Sequence, residues 1–220
     1  MLRNRMIRAA IPKGNPISFV DATQGTGGFG STGTITVSTN DFVLLFSHGK
    51  IADDLSIYSY GGTSSLGSLT GVISRGSTLG ASGNDYLNIA SSASVSSGGT
   101  LNMTEGGGRD AGYGILAVDG GTNTSVSVGI SGSISVSSVT TDDVIVIYET
   151  TQSLGSAAVP STPSGYTSAF SHSFTVGKGG SAQGWASRVS YKTGASGTVA
   201  HTVTTAGENN GGAIIRIYSS

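Results

Sequence analysis

The chain carries one β-strand pattern twice. Residues 40–46 (NDFVLLF) match residues 142–148 (DDVIVIY), each an acidic turn followed by an unbroken apolar run. Two later segments of the first copy recur in the same order in the second: 98–101 (GGTL) as 196–199 (SGTV), and 112–118 (GYGILAV) as 211–217 (GGAIIRI). Matching first and last strands at similar spacing indicate two tandem copies of one β module.

Short strands divided by turn residues predict an all-β fold. The 36 glycines favour tight turns, whereas the recurrent Val and Ile and the net charge of −1 do not fit a disordered chain. Apolar residues never recur at helical spacing over about three turns. We therefore predict two tandem antiparallel β-sandwich (jelly-roll-like or immunoglobulin-like) domains at residues 31–121 and 122–220, after an extended N-terminal arm and loop at residues 1–30.

Several segments carry specific expectations about burial. Residues 42–46 are apolar at every position, which predicts a strand covered on both faces. In residues 125–136 the apolar side chains occupy even positions, so one face of an extended strand is expected to enter the core. Trp185 shares its strand face with other apolar residues and is expected in the core rather than as a sugar platform. The glycine-rich residues 24–30 are expected to form a loop.

The charge is unevenly placed along the chain. Arg3, Arg5, Arg8 and Lys13 all precede the first acidic residue, Asp21. Such a basic arm is typical of an interaction tail for nucleic acid or for an acidic protein surface. The alternative is a solvated, frayed terminus.

Three absences narrow the class of protein. Without cysteine the chain has no disulfide, no thiolate metal site and no cysteine nucleophile. No apolar run reaches about 18 residues, so no membrane-spanning helix is expected. The basic start is similar to that of a signal peptide, but residues 12–14 (PKG) interrupt the apolar core that should follow, so secretion by that route is not expected.

The residues that could carry chemistry form no recognisable constellation. His48, His172 and His201 lack metal-ligand spacing, and His201 shares its strand face with two valines, which favours a core or interface histidine. The acid pairs at residues 53–54 and 142–143 are better explained by turn capping than by calcium, because neighbouring strand residues point to opposite faces.

Neither a phosphate site nor a serine nucleophile is indicated. The glycine-rich stretches lack the Lys-Ser/Thr of a phosphate loop, and no Gly-x-Ser-x-Gly lies between a strand and a helix. We therefore expect no enzyme activity, no cofactor and no metal.

Carbohydrate binding is the main alternative to a structural role. Tyr166, which ends a loop after residues 163–165 (PSG), is the candidate aromatic residue for it.

The second copy presents an ordered set of features: an apolar strand at 144–148, the loop 162–167 (TPSGYT), a strand at 185–191, GTV at 197–199 and a glycine-rich last strand. This order resembles the jelly-roll modules of minor virion proteins of tailed bacteriophages, which include capsid decoration proteins and tail-tip or fibre proteins. The likeness spans about residues 131–220, with a weaker match at 33–120.

The resemblance implies a non-enzymatic virion structural protein, assembled in the host cytoplasm, and most simply a capsid decoration or cement protein. Arg3, Arg5, Arg8 and Lys13 would then contact the major capsid protein or other virion subunits, and the chain would form a homo-oligomer, with a trimer as the first guess. Neither a membrane nor nucleic acid is expected as a partner. The alternative is a tail or fibre protein that binds a host-surface glycan or receptor through the loop of Tyr166.

Overall fold

The computed structural model describes residues 16–26, 30–49, 58–73, 87–106, 111–178, 181–203 and 209–219. The strands are β1 Ser18–Thr26, β2 Ile35–Val37, β3 Phe42–Gly49, β4 Tyr58–Gly62, β5 Ser65–Leu66, β6 Thr70–Ile73, β7 Leu87–Ser97, β8 Gly99–Glu105, β9 Ala111–Asp119, β10 Asn123–Gly129, β11 Ser133–Val139, β12 Val144–Leu154, β13 Thr167–Lys178, β14 Ser181–Thr193, β15 Gly197–Thr202 and β16 Asn209–Tyr218. These residues contain no helix, so none of them forms a helix that could cross a membrane. The predicted all-β class is confirmed.

The strands pair antiparallel into four sheets, which we name by position. Inner sheet 1 has the order β1-β9-β3-β7, with β5 and β6 both paired to β7, and inner sheet 2 has the order β10-β16-β12-β14-β13. Outer sheet 1 is β2-β8-β4, and outer sheet 2 is β11-β15. Three apolar cores separate the sheets in the sequence outer 1, inner 1, inner 2, outer 2. The packing is that of a β-sandwich, with four layers.

The central strand of each inner sheet is buried on both faces. On β3, Val43 and Leu45 enter the core beneath outer sheet 1, whereas Phe42, Leu44 and Phe46 enter the core between the inner sheets. The corresponding strand β12 divides its residues between the inner core and the core beneath outer sheet 2 in the same way. Because successive side chains of a strand point to opposite faces, a strand covered on both sides must be apolar throughout, as predicted.

The two inner sheets repeat one strand arrangement. β3 lies between β9 and β7, and β12 lies between β16 and β14. The acidic turns before these strands also match. Asp41 Oδ2 accepts a hydrogen bond from the backbone N–H of Ser38, and Asp143 Oδ2 accepts one from that of Thr140, each at 2.8 Å. The capping expected for the acidic turn at residues 142–143 is confirmed, and residues 53–54 lie outside the described part of the chain.

The largest core lies between the two halves, strands β1–β9 and strands β10–β16. It joins residues from both inner sheets, and it includes the pair Phe46 and Tyr148, whose ring centroids are 5.0 Å apart. The Tyr148 hydroxyl also donates across the interface to the carbonyl of Ser47, at 3.2 Å. Each half therefore covers the inner face of the other.

Two predictions from the sequence are wrong. Residues 125–136 do not form one half-buried strand, because a turn at 130–132 separates β10 from β11. Val126 and Val128 are each 38% exposed and Ile130 is 54% exposed. β10 is the edge strand of inner sheet 2, so its apolar face is covered only in part. The loop predicted for 24–30 is also wrong at residues 24–26, which end β1 and pair with β9.

Candidate functional site

A cleft of about 280 Å³ opens at one corner of the interface between the inner sheets. Its first wall comes from residue 68, from the start of β6 and from β7, and its second wall comes from residue 122 and the start of β10. The polar residues of the lining are Ser68, Thr70, Ser92 and Ser94 on the first wall and residues 122–124 (TNT) on the second. Phe42 and Ala93 complete the lining, which contains no charged side chain.

Strand register explains why serines lie in this cleft. Ser92 pairs with Leu44, and Ser94 pairs with Phe42. Paired residues on antiparallel strands share a face of the sheet, so both serines occupy the face that is otherwise the inner core. Serine is smaller than Phe42, Leu44 and Phe46 on the same face, and it brings a hydroxyl group. The inner sheets therefore leave space at this corner, and the space has polar walls.

Most hydroxyls of the cleft make no hydrogen bond within the part of the chain that the structure describes. Ser68, Thr70, Ser92 and Ser94 make no side-chain hydrogen bond to another described residue, and neither does Thr124. Ser92 is only 5% exposed. Because its hydroxyl faces the cleft, a molecule bound there can form a hydrogen bond with it.

A buried histidine cluster lies at the other end of β3. His48 on β3 and His172 on β13 stack with ring centroids 4.7 Å apart, and Nδ1 of His48 lies 2.9 Å from Nε2 of His172. The Ser187 hydroxyl on β14 also lies 2.9 Å from Nε2 of His172. Trp185 and Phe174 complete the aromatic surroundings of His48. The burial of Trp185, at 2% exposure, agrees with the core position predicted for it.

Burial keeps both histidines neutral. Desolvation lowers the pKa of His172 to about 4. Desolvation, reinforced by the neighbouring His172, lowers the pKa of His48 well below its ordinary value, against a smaller opposing effect of the Gly112 backbone. The Ser187 and His172 pair has the hydrogen bond of a serine nucleophile and its base. Ser187 is fully buried, however, so in this conformation a substrate has no route to its hydroxyl oxygen.

Tyr166 lies where the loop after β12 meets β13, and its ring is half buried. The ring packs against the core beneath outer sheet 2, and its hydroxyl is buried without a hydrogen-bond partner among the described residues. Burial also raises the pKa of this hydroxyl. Lys192 Nζ lies 5.6 Å from the ring centroid, a cation–π distance. Part of the ring surface is therefore already occupied by the protein itself.

The loop that precedes Tyr166 is held by one arginine. Arg188 on β14 donates from Nε to the carbonyl of Pro160 at 2.5 Å. Its Nη1 donates to the hydroxyls of Thr162 and Ser168, at 2.9 and 2.7 Å. These charged donors fix the loop against β14, and the loop, which contains two prolines that cannot donate a backbone hydrogen bond, has no strand character.

The remaining candidates have separate positions. Arg3, Arg5, Arg8 and Lys13 lie outside the described residues. Nε2 of His201 lies 3.0 Å from a carboxylate oxygen of buried Glu149, between inner sheet 2 and outer sheet 2, which agrees with the core or interface position expected for this histidine. In the described part of the chain, no three acidic or histidine side chains gather closely enough to hold a metal ion.

Reasoning from the sequence missed both the cleft and the histidine cluster. Each combines residues that are far apart along the chain, such as His48 and His172. The cleft had one local signal: Ser92 and Ser94 alternate with Ala93 and Val95, so one face of β7 is apolar and the other is polar. That signal alone does not reveal which face lies against the second inner sheet.

Comparison of the chain with protein-family models, with curated proteins and with solved structures finds no match in any of the three.

Proposed function

We propose that this chain is a non-enzymatic structural protein of a virion, namely a capsid decoration or cement protein anchored by its N-terminal arm. In this proposal, residues 31–121 and 122–220 are two jelly-roll-like domains derived from one duplicated unit, and residues 1–30 include the arm. Its partners are the major capsid protein or other virion subunits, and the protein acts as a homo-oligomer.

The observation that carries this proposal is the four-layer stack, with β3 and β12 each buried on both faces. Continuous apolar packing across three cores gives a rigid body, and rigidity is what a subunit that reinforces a shell requires. The buried histidine cluster is closed to substrates, and the open cleft has no charged or nucleophilic residue other than hydroxyls. Both features support a structural role over a catalytic one.

The root of the arm is fixed to the second half of the protein. The backbone N–H of Ile17 donates to the carbonyl of Asp142 at 2.8 Å, and the ring of Phe19 stacks on that of Tyr191 with centroids 4.2 Å apart. The described part of the chain therefore begins at a defined point beside the turn before β12, and the basic residues Arg3, Arg5, Arg8 and Lys13 precede it in the sequence. In the proposal they contact an acidic surface of the capsid.

Deletion of residues 1–13 tests this proposal. Shells assembled from the major capsid protein encoded in the same genome would be mixed with the wild-type and deleted chains, and the bound fraction would be measured by sedimentation. We expect the deletion to abolish binding and to leave the thermal unfolding transition of the body in place. A chain in which residues 1–13 are scrambled, with composition unchanged, separates simple charge attraction from a specific fit. Undiminished binding by the deleted chain would rule out anchoring by the arm.

The second candidate is a tail or fibre protein that binds a host-surface glycan or receptor. The uncharged, hydroxyl-lined cleft favours it, because its groups match those of a sugar. Tyr166 is the loop residue proposed for contact with the ligand. A glycan array would compare the wild-type protein with Tyr166→Ala and with Tyr166→Phe, which retains the packed ring. Loss of binding in Tyr166→Ala alone supports a stacking role for the ring, and equal binding by all three proteins excludes Tyr166 from the site.

A further inference from the structure

We infer that the cleft between the inner sheets is a binding site for a neutral saccharide of one or two sugar rings. The inference deepens the second candidate function and depends on glycan binding, but it does not depend on whether the protein belongs to a virion. It assigns the ligand to residues of β6, β7 and the start of β10 rather than to the loop of Tyr166.

The chemistry of the lining selects a neutral polyol. Each serine or threonine hydroxyl both donates and accepts hydrogen bonds, and so does each sugar hydroxyl. Ser68, Thr70, Ser94 and Thr124 have no partner among the described residues, so binding would not require the loss of an existing hydrogen bond within the described structure. A carboxylated, sulfated or phosphorylated ligand would lose hydration without meeting a cation.

Ser92 is the most buried of the hydroxyl-bearing residues that line the cleft. It is more than nine-tenths buried, it lines the cleft, and its hydroxyl has no partner among the described residues. Beside it, Phe42 supplies an apolar part of the lining, against which the C–H face of a sugar ring can pack. A few polar groups beside an apolar surface are typical of small-molecule sites.

The size and rigidity of the cleft also suit this ligand. Sites for drug-sized ligands have volumes of about 300–1,000 Å³. The cleft, at about 280 Å³, lies just below that range, which limits the ligand to one or two rings. Ser92 and Ser94 are held on β7, which pairs with β3 along its length, so little conformational entropy is lost when a ligand binds.

A glycan array that contains neutral and acidic glycans would be probed with wild-type protein, and the affinity of the best glycan would then be measured by titration calorimetry. Ser94→Leu should fill the cleft and weaken binding at least about tenfold, since it removes a hydroxyl and excludes a sugar ring. Thr70→Ala with Thr124→Ala should weaken binding by about threefold to tenfold through lost hydrogen bonds.

Two controls match these variants. Ser135→Leu places the same side chain at an exposed serine of β11 on outer sheet 2, and Thr36→Ala removes an exposed hydroxyl from β2 on outer sheet 1. Both should bind like the wild-type protein. Thermal unfolding of every variant would be recorded. If Ser94→Leu fails to fold, the affinity of the double variant Thr70→Ala with Thr124→Ala decides whether the cleft binds the glycan.

The outcomes separate this inference from the proposals on which it rests. A neutral glycan that binds the wild-type protein and is weakened by the cleft variants alone supports the inference. Binding that the cleft variants leave unchanged overturns the cleft as the site while the second candidate function stands. Binding of acidic glycans alone overturns the neutral class of ligand. The absence of binding to any glycan overturns the inference and the glycan-binding form of the second candidate, and the decoration proposal is then decided by the deletion of residues 1–13.

Discussion

Protonation of His172 is opposed by the burial of its ring between the inner sheets. In the unfolded chain the pKa of histidine is about 6.5, whereas in the folded protein the pKa of His172 is about 4. Between these pH values the unfolded chain binds a proton that the folded chain excludes. The free energy of unfolding should therefore decrease as the pH falls from about 6.5 to about 4, by about 3 kcal/mol from this residue. His48 acts in the same direction.

Urea unfolding of the wild-type protein at pH 7 and pH 4.5 would measure this loss. His172→Gln keeps a polar group beside Ser187 but cannot be protonated in this range, so it should show a smaller difference between the two pH values. Thr36→Ala, at an exposed position of outer sheet 1, is the control for general acid effects. An acid dependence of His172→Gln equal to that of the wild-type protein would contradict this role of His172.

Gly112 is required by the same histidine cluster. A Cβ atom added at this position would overlap the imidazole ring of His172, which is fixed by Ser187 and His48. Gly112→Ala should therefore lower the free energy of unfolding by about 1–3 kcal/mol through overpacking. Gly71→Ala on β6 meets open space and should change it by less than about 0.5 kcal/mol. Chemical denaturation of both variants at pH 7 checks the contrast.

The same Val→Thr substitution should lower the free energy of unfolding more on a central strand than on an edge strand. Val146 on β12 is fully buried in the inner core, and Val128 on the edge strand β10 is 38% exposed. Threonine has nearly the same shape as valine but adds a hydroxyl, which has no partner in an apolar core. Val146→Thr should cost about 1–3 kcal/mol of unfolding free energy, and Val128→Thr less than about 0.5 kcal/mol. Equal losses in denaturant titrations would mean that β10 is covered as fully as β12.

Strand patterns also show how far the sequence can predict each element. The unbroken apolar run at residues 42–46 correctly indicates burial on both faces. Apolar side chains point to both sides of such a strand, so neither face is suited to contact with water. The alternation in residues 125–136 indicates a strand but not whether its apolar face is covered. Val128 and Ile134 have the same local pattern of alternating serine. The side chain of Ile134 nevertheless enters the core between outer sheet 2 and inner sheet 2, whereas Val128 lies on an edge strand and is partly exposed.

For the whole molecule, the inner core makes the two halves depend on each other. Each inner sheet presents one face to the other, including Phe42 and Leu44 from the first half and Val144 and Val146 from the second. A half expressed alone would expose this apolar face to water. We expect residues 16–121 and 122–220, produced separately, to aggregate or remain unfolded, and to form a folded complex when refolded together.

Size-exclusion chromatography and amide NMR spectra of the separate and mixed fragments would test this dependence. The matched control is the full chain cleaved between residues 121 and 122 after folding, which should stay associated. Two fragments that are each monomeric and cooperatively folded would show that the inner core is dispensable.

The sequence by itself determined the all-β class, the capped acidic turn at residues 142–143, and the two covered faces of the strand at residues 42–46. These properties depend on the alternation of apolar and polar residues and on turn residues. Both involve only a few residues that are neighbours in the sequence. Only the tertiary structure decided that the two inner sheets face each other, that His48 meets His172, and that Ser92 and Ser94 line an open corner rather than a filled core. Such features depend on which faces of distant strands are brought together, and no local pattern encodes that choice.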